Sequence, residues 1–373
     1  MLKNDGGSMG NTDKITFKIA LLPGDGIGPE VINAALSVLR AVEDHLMGIN
    51  LEYEEFSVGV KEFLASGDPL PSSAFDRFSE FNAILLGAMG LPGVRWPSGI
   101  EMTPQLDIRE RLDLYCGLRP IYLFHAHDSP LRDRKKGSID LLLVRESTEG
   151  LFSSRKQLLD MNADRIEDKM LITRVGSERI IRAAFNEAMK RRKHLTLIDK
   201  ANVLPSMAYF RRIFDEIASE FPEVKTEQFY VDAAALYLLQ KPQVFDVLVT
   251  ENMFGDILSD LIAGLVGGMG MAPSADLGDN YAVFQPSHGS APDIAGLGIA
   301  NPVATILSAA MMLDWLGHPE CRRGAEQIRA GIHKVFADPQ SRTRDMGGNL
   351  STSEMAEAVC SAIHFQYQTG VGQ

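Results

Sequence analysis

Short apolar runs rich in β-branched residues alternate with segments of helical periodicity from residue 17 onward. This alternation predicts an α/β protein with a partly parallel sheet. The first strand is predicted at 17–22, and further strands at 51–57, 82–86, 139–145, 170–174, 194–198, 226–231, 244–250 and 281–284. Helices are predicted at 60–66, 104–114, 177–191, 206–220, 232–240, 254–266, 302–316, 321–336 and 352–364.

The turn PGDGIGPE at 23–30 follows the first strand and precedes a helix that is predicted to run to about His45. Gly24, Gly26 and Gly28 give the spacing G-x-G-x-G, and Pro29 stands where a dinucleotide fingerprint needs its last glycine region. The pattern therefore predicts a tight strand-to-helix turn with positive φ angles, and it argues against a Rossmann nucleotide site.

The composition sets the broad class of protein. A chain of 373 residues with 45% hydrophobic residues is long enough for two packed domains. The net charge of −12 argues against nucleic acid or an anionic membrane as a partner, so an anionic substrate would have to meet local arginines. The longest apolar runs, such as AAALYLL at 233–239, are too short for a membrane span.

Two features indicate where the protein works. Residues 1–14 are rich in Gly, Asn and charge without an apolar segment, which predicts a flexible leader rather than a secretory signal. Cys116, Cys321 and Cys360 are odd in number and lack C-x-x-C spacing, which predicts unpaired thiols in a reducing compartment. A cytoplasmic location is the resulting expectation.

Asp256 and Asp260 stand four residues apart in ENMFGDILSDLIAGL, which places both carboxylates on one face of a predicted helix. Paired carboxylates of this kind suit Mg²⁺ or Mn²⁺. A solvated helix face with two like charges is the alternative. The apolar residues of the same segment are expected to line its packed side: Ile257, Leu258, Leu261, Ile262 and Leu265.

Four arginines lie within fifty residues of one another, at Arg109, Arg119, Arg145 and Arg155. Guanidinium groups bind carboxylates in a bidentate manner, so the cluster suggests an anionic substrate. In an acidic protein the same side chains could instead pair with acidic neighbours, namely Glu110, Asp113 or Glu146.

Lys200 follows a buried-looking strand in LIDKANVLP, where desolvation and a nearby metal would lower its pKa toward that of a general base. A structural salt bridge to Asp199 is the alternative. Asp232, after the strand EQFYV, is a single acid without specificity of its own.

The segment QPSHGSAPDIAG at 285–296 is a polar, glycine-rich loop ahead of a predicted helix. Its small and polar residues are suited to wrapping an adenosine: His288, Gly289, Ser290, Ala291 and Asp293. Asp293 would accept hydrogen bonds from ribose hydroxyls and repel a 2′-phosphate, which favours NAD over NADP.

Seven motifs stand in order between residue 17 and about 365: LLPGDGIGPE, LDLYCGLRP, VRESTEG, DKANVL, YVDA, ENMFGDILSD and HGSAPDIAGLGIANP. In order and spacing the chain resembles the metal-dependent, β-decarboxylating hydroxyacid dehydrogenases, a family that comprises the 3-isopropylmalate, isocitrate, homoisocitrate, tartrate and D-malate enzymes. This resemblance implies a two-domain α/β fold distinct from the Rossmann fold, with a mixed parallel and antiparallel sheet flanked by helices. The implied cofactor-binding domain holds 1–114 and 267–373, and the implied dimerisation and metal/substrate domain holds 115–266.

The resemblance also implies a homodimer whose active sites borrow residues across the interface. Asp256 and Asp260 match the metal ligands of one subunit, and Asp232 matches the ligand from the other. Lys200 matches the partner-subunit lysine that takes part in proton transfer at the substrate hydroxyl, and Asn202 lies beside it near the nicotinamide.

The remaining matches concern substrate and cofactor. Arg109, Arg119 and Arg145 match the arginines that bind the malate carboxylates. His288 through Asp293, together with Asn301, match the adenosine-binding loop, which agrees with NAD as the cofactor. Arg155 matches no arginine of the family pattern, so we interpret it as a charge exposed to solvent.

Two positions depart from the family pattern. Phe152, in VRESTEGLF, stands where the family has a tyrosine that delivers a proton to the enol, and a phenyl ring has no acidic hydrogen. Three alternatives follow: another group or water protonates the enol, the enzyme stops at oxidation, or the chain is a regulatory subunit. Gln285 stands where isopropylmalate enzymes usually carry glutamate.

The substrate is expected to be a 3-substituted malate, with 3-isopropylmalate first. The loop at 90–109 contacts the variable substituent in this family and here offers Thr103 and Gln105 beside Leu106. A buried amide left unpaired against a methyl group costs about 1–3 kcal/mol, so a polar or small substituent remains an alternative. Tartrate, D-malate, isocitrate and homoisocitrate are the other candidates.

Overall fold

One 10-stranded sheet runs through the described part of this computed structural model, which is 14–369 apart from 158, 159 and 161. The strands are β1 Ile15–Gly24, β2 Ile49–Glu55, β3 Ala83–Ala88, β4 Cys116–Tyr122, β5 Asp140–Glu146, β6 His194–Asp199, β7 Lys225–Tyr230, β8 Val247–Thr250, β9 Pro273–Leu277 and β10 Ala282–Pro286. Their order is β2-β1-β3-β10-β9-β4-β5-β8-β6-β7. The pairs at either end are parallel, whereas β10–β9, β9–β4 and β4–β5 are antiparallel, so the sheet is mixed as expected.

The helices cover both faces of this sheet. They are α1 Gly28–Glu43, α2 Val60–Ser66, α3 Ser72–Phe75, α4 Pro104–Arg111, α5 Arg174–Met189, α6 Pro205–Ala218, α7 Val231–Gln240, α8 Asn252–Gly264, α9 Val303–Trp315, α10 Pro319–Val335 and α11 Thr352–Thr369. Helices α1, α9, α10 and α11 enclose one large apolar core with the first strands. Helices α5 and α6 pack on one side of β5, β6 and β8, and α7 and α8 pack on the other side.

The turn between β1 and α1 has the backbone that its glycines predict. Gly24 and Gly26 have φ angles of 71° and 56°, in the left-handed region that glycine tolerates best. Gly28 has no room for a side chain, because a Cβ there would lie 2.0 Å from the carbonyl oxygen of Pro23. Pro29 sits in the first turn of α1, where its missing N–H costs nothing.

The sequence pattern does not predict two of the strands, and both lie at the centre of the sheet. β4 (CGLRPIY) and β9 (PSADL) contain proline, glycine and charged residues, which are rare in central strands. Pro120 is tolerated because the pairing of β4 with β9 stops at Leu118. The short helix α3 was also not predicted.

The strand predicted at 170–174 is wrong. Leu171 makes only an isolated bridge with Gly150, and the hydroxyl of Thr173 accepts a hydrogen bond from the Gly176 N–H at 3.0 Å. Thr173 is therefore the N-cap of α5, and the apolar residues before it belong to the loop that leads into this helix.

Other expectations have mixed outcomes. Cys116, Cys321 and Cys360 are free thiols, as predicted. The flexible leader predicted at 1–14 lies outside the described residues but for Lys14. Within the described residues, every helix is too short or too polar to cross a membrane. The division into two domains stays a prediction; its boundary would fall between β9 and β4, which the sheet crosses without a break.

Candidate active site

A cavity of about 250 Å³ opens beside the carboxyl end of β5. Residues that the sequence marked as candidates line it together: Gln105, Arg109, Arg119, Arg145, Asp256, Asp260, His288 and Gly289. These residues come from α4, β4, β5, α8 and the loop after β10. The fold therefore brings three of the four clustered arginines, the acidic pair and the start of the glycine-rich loop to one place, the arginine cavity.

Arg109 and Arg119 do not pair with Glu110, Asp113 or Glu146; they share Asp276, which sequence reasoning missed. The Nη2 of Arg109 donates to Asp276 Oδ2 at 3.0 Å, and the Nη2 of Arg119 donates to Asp276 Oδ1 at 3.2 Å. Gln285 adds a third donor to Asp276 Oδ2 at 2.6 Å. Burial by itself would raise the pKa of Asp276, but the arginines, led by Arg109, outweigh it and hold that pKa at about 2.

Arg145 lies near the end of β5 and is 3% exposed. Its Nε and Nη2 donate to Asn252 Oδ1 at 3.0 and 2.7 Å, and its Nη1 forms an ion pair with Asp256. Burial first, and then repulsion by Arg109, lower the pKa of Arg145 to about 10. The guanidinium is therefore in an environment that an additional anion would relieve.

Asp256 and Asp260 both face the cavity from α8, as the four-residue spacing predicted. The α8 N-terminus is capped by the buried Glu251, whose carboxylate accepts from the N–H groups of Met253 and Phe254 at 3.1 and 2.6 Å. Burial raises the pKa of Asp260, and the neighbouring Asp256 raises it further. Two adjacent carboxylates with this mutual repulsion suit a divalent cation between them.

The packed side of α8 differs from the prediction at one position. Leu258, Ile262 and Leu265 are buried, but Ile257 is 60% exposed. Ile257 precedes Asp260 by three residues and so shares the exposed face of the helix.

Lys200 and Asp232 pair with each other, with Nζ 2.8 Å from Oδ1. The alternative of a salt bridge from Lys200 to Asp199 is wrong, because Asp199 accepts from Arg211 Nε and Nη2, each at 2.7 Å. Lys200 donates to Asp232 and lowers the pKa of that carboxyl. Neither residue lines the cavity of its own chain, as far as the described residues show, and Asn202 is an exposed neighbour of Lys200.

The loop after β10 contributes His288 and Gly289 to the cavity wall. Burial lowers the pKa of His288, and its buried Nε2 has no hydrogen-bond partner among the described residues. Ser290 is buried and donates from Oγ to the carbonyl of Gly90. Ala291 has a φ of 38°, and Asp293 is exposed at the outer end of the loop.

Asn301 is 5% exposed and lies at the entrance to α9. Its Nδ2 donates to Asp345 Oδ2 at 3.1 Å, and its Oδ1 accepts from the Val303 N–H at 3.1 Å. Asn301 therefore fixes the backbone at the start of α9. Its partner Asp345, like Asp276, is an acidic residue near the site that the sequence analysis did not identify.

The two residues expected at the variable substituent are separated in the structure. Gln105 lines the arginine cavity, and its buried Oε1 has no partner among the described residues. Thr103 instead lines a neighbouring cavity of about 390 Å³ with Trp96. Phe152 lies on the wall of the arginine cavity, with its ring centroid 5.3 Å from the guanidinium carbon of Arg145.

The interpretation of Arg155 as a solvated charge is wrong. Its side chain is 20% exposed and forms ion pairs with Asp107 at 2.7 Å and Glu110 at 2.6 Å. These acids lie on α4 beside the arginine cavity, so Arg155 ties that helix to the segment that follows β5.

Comparison with known proteins agrees with this geometry. A family model described as isocitrate/isopropylmalate dehydrogenase matches residues 18–359. The 3-isopropylmalate dehydrogenase of Moorella thermoacetica is 43% identical over 355 residues, which cover 92% of this chain and 98% of that protein. That of Corynebacterium aurimucosum is 42% identical over 343 residues, with 90% and 99% covered.

Solved structures show the same architecture. The crystal structure of isocitrate dehydrogenase from Methylococcus capsulatus has a TM-score of 0.83 and 37% identity, covering 93% of this chain and 99% of that one. A β-decarboxylating dehydrogenase from Thermococcus kodakarensis in its apo form has a TM-score of 0.78 and 36% identity, with 96% and 99% covered. A mixed sheet that carries arginines and paired aspartates to one cavity, in a sequence matched over nearly its whole length, has one explanation: this chain belongs to the isocitrate/isopropylmalate dehydrogenase family of decarboxylating dehydrogenases.

Proposed function

We propose that the protein catalyses the NAD-dependent, metal-assisted oxidative decarboxylation of a 3-substituted malate, with 3-isopropylmalate as the first candidate. The observation that carries this proposal is the convergence of three buried arginines and two aspartates on one cavity. Carboxylates and a divalent cation are the partners that such a mixed set of charges requires.

The residues present fit a divalent metal. Asp256 and Asp260 offer hard carboxylate oxygens, and Mg²⁺ or Mn²⁺ usually takes one or two protein carboxylates with substrate oxygens completing the shell. Within the described part of a single chain, no group of three His, Cys, Asp or Glu side chains is placed to hold a metal ion. A third ligand, Asp232, would therefore have to come from a second chain.

The loop after β10 fits NAD. The unpartnered Nε2 of His288 offers a hydrogen bond, and a Cβ at Gly289 would meet nothing within 4 Å, so there is open space beside this backbone. The exposed carboxylate of Asp293 is available to ribose hydroxyls. The positive φ of Ala291 holds the chain in a turn between these groups.

A homodimer is part of the proposal. Lys200 and Asp232 lie away from the cavity wall of their own chain, and large apolar side chains are exposed nearby. Leu236 and Leu239 on α7 are 50% and 43% exposed, and Ile257 on α8 is 60% exposed. A second copy of the chain would cover this surface and bring its Lys200 and Asp232 to the cavity.

The free thiols are consistent with the expected cytoplasmic location.

The chain's own residues then divide the work. Arg109, Arg119 and Arg145 bind and orient the substrate carboxylates, and Lys200 of the second chain, as a neutral amine, accepts the hydroxyl proton and becomes an ammonium. When bound, the metal supplies charge that favours loss of that proton and departure of CO₂, and NAD⁺ supplies the hydride acceptor. Phe152 lies beside Arg145 without a proton to give, so the enol must take its proton from water or another side chain.

Two observations favour specific alternatives. The unpartnered Oε1 of Gln105 accepts hydrogen bonds, so it favours a substituent that donates one, as the hydroxyl of tartrate does, over the carboxylate substituents of isocitrate and homoisocitrate. Phe152 on the cavity wall favours a noncatalytic regulatory subunit.

The test is NADH production by the purified chain with NAD⁺, Mg²⁺ or Mn²⁺ and a panel of 3-isopropylmalate, isocitrate, homoisocitrate, tartrate and D-malate. We expect one member to be oxidised and an Asp260→Asn variant, which keeps the side-chain shape, to lose that activity. Absence of turnover on every member by a chain that still binds Mn²⁺ would end the catalytic proposal and leave the regulatory one.

A further inference from the structure

The arginine cluster contains an anion of its own. Asp276 is 1% exposed and accepts three hydrogen bonds, from Arg109, Arg119 and Gln285. Gly117 is its register partner on β4, and a Cβ there would lie 3.2 Å from Asp276 Oδ1. The absence of a side chain at 117 thus leaves room for the Asp276 carboxylate and for the Ser147 hydroxyl, which would lie 2.7 Å from the added Cβ.

Asp276 also occupies donors that a ligand would otherwise use. The Nη2 atoms of both Arg109 and Arg119 point to it, and the Nη1 of Arg119 donates to the backbone carbonyls of Leu118 and Ala275 at 3.1 and 3.4 Å. In contrast, the Nε and Nη1 of Arg109 are buried without a partner among the described residues. Arg109 therefore keeps donors for a ligand, whereas Arg119 is largely held by the protein.

The positive charge at the cavity is lower than three arginines suggest. The negative charge of Asp276 neutralises one of the two positive charges of Arg109 and Arg119, and Asp256 forms an ion pair with Arg145. Near Gln105 and Leu106 the described wall of the cavity carries no further cation. The closest cationic side chains in the neighbouring cavity, Arg155 and Lys156, are already paired with Asp107 and Glu110.

We propose that Asp276 is a positioning and specificity-determining residue: it holds Arg109 and Arg119 in place and reserves the cavity for a dicarboxylate with an uncharged substituent, against a tricarboxylate. The inference rests on the proposed function and narrows its substrate class. A third ligand carboxylate would be desolvated near the Asp276 charge without a free cation to receive it. This disfavours the isocitrate-type members of the panel.

The test uses two acids that differ by one carboxylate, glutarate and tricarballylate (3-carboxyglutarate). Their dissociation constants are measured by titration calorimetry on the full chain in Mg²⁺. We expect the wild-type chain to prefer glutarate, and the near-isosteric Asp276→Asn variant to shift the ratio of the two constants about tenfold toward tricarballylate. The double variant Asp276→Asn/Gln285→Glu returns a carboxylate to the adjacent side chain, and we expect it to restore most of the wild-type ratio.

If Asp276 had only a structural role, Asp276→Asn would weaken the binding of both acids by the same factor. A folded variant with an unchanged ratio of the two dissociation constants overturns the inference. If Asp276→Asn does not fold, the single variant Gln285→Glu replaces it. This variant adds a second carboxylate, so we expect it to weaken tricarballylate relative to glutarate beyond the wild-type ratio of dissociation constants. An unchanged ratio overturns the inference. Because binding is measured without turnover, a chain that oxidises a malate but shows no shift overturns this inference alone. A chain that shows the shift but oxidises nothing overturns only the catalytic proposal.

Discussion

The ammonium group of Lys200 lies 2.8 Å from the carboxylate of Asp232, outside the described wall of the cavity that holds Asp256 and Asp260. The two side chains are 26% and 69% exposed, so the pair is available to a second molecule. In the proposed homodimer, one chain would therefore present two separate half-sites, one with Lys200 and Asp232 and the other with Asp256 and Asp260.

We predict that two inactive variants complement each other. Lys200→Met removes the proposed proton acceptor and Asp260→Asn removes a proposed metal ligand, and each is expected to lower the rate of NADH production at least about 100-fold. Refolding or subunit exchange of an equal mixture would produce heterodimers in which one of two shared sites is intact. The mixture should then recover about a quarter of the wild-type rate.

The control for complementation is a mixture of Lys200→Met with Asp232→Asn, whose damage falls on the same half-site. That mixture should stay inactive, because neither chain supplies an intact pair. If the first mixture also stays inactive while native mass spectrometry detects heterodimers, the shared site is disproved.

Phe152→Tyr tests the missing proton donor. The ring centroid lies 5.3 Å from the Arg145 guanidinium carbon, and a nearby cation would lower the pKa of a tyrosine placed there. We expect the rate of keto acid formation to rise by roughly tenfold or more, since a positioned general acid that protonates the enol contributes at least that much. The steady-state rates of keto acid and NADH formation measure this effect.

Phe152→Leu is the matched control, because it removes the ring without adding a hydroxyl. It should leave the rate of keto acid formation at the wild-type value. An unchanged rate of keto acid formation in Phe152→Tyr would remove position 152 from the chemistry and assign the protonation step to water or another group.

The sequence predicts the periphery of this fold better than its centre. The regular amphipathic patterns of α5 and α10 fixed those helices to within a few residues. β4 and β9 were not predicted because Arg119 and its counter-ion Asp276 replace apolar residues of the kind that mark a central strand. The candidate site residues are polar, so the strands that carry them lack the apolar pattern from which a strand is predicted.

The candidate site shows the same limit. Spacing along one helix placed Asp256 and Asp260 together, because four residues make one helical turn. No local signal links Asp276 to Arg109, which lie 167 positions apart in the chain. The sequence marked Gln285 only as a departure from the family pattern, and the structure shows that its amide donates to Asp276.

Gly26→Ala tests the contact between the first turn and the loop expected to hold adenosine. Gly26 has a φ of 56°, and a Cβ there would lie 1.9 Å from the carbonyl oxygen of Ser290. We expect a loss of about 3 kcal/mol or more in the free energy of unfolding, because both backbones would have to move. NAD⁺ affinity should fall about tenfold or more, while the affinity for glutarate changes less.

Gly48→Ala is the control, because Gly48 has a similar φ of 70° but nothing within 4 Å of the added Cβ. It isolates the cost of the backbone conformation, which we expect to be about 1 kcal/mol, and it should leave NAD⁺ affinity unchanged. Urea unfolding and calorimetric titration measure the two effects. Equal losses in the two variants would show that the Ser290 contact contributes nothing.

The dependence of stability on pH tests the charge state of Asp276. The arginines, led by Arg109, overcome the opposing effect of burial and lower the pKa of Asp276 from 3.8 to about 2 in the folded protein. Since the folded pKa is the lower one, the ionised carboxylate stabilises the fold above pH 4, and this contribution is lost as the pH falls toward 2. It amounts to about 2 kcal/mol for a shift of this size. Urea unfolding at pH 6, 4 and 3 should show the free-energy gap between wild type and Asp276→Asn narrowing as the solution becomes more acidic. A gap that stays constant over this range would mean that folding leaves the pKa of Asp276 unchanged, and a gap that widens toward acid would mean that the carboxyl is protonated in the folded protein. Either result would show that the arginines do not stabilise an ionised Asp276.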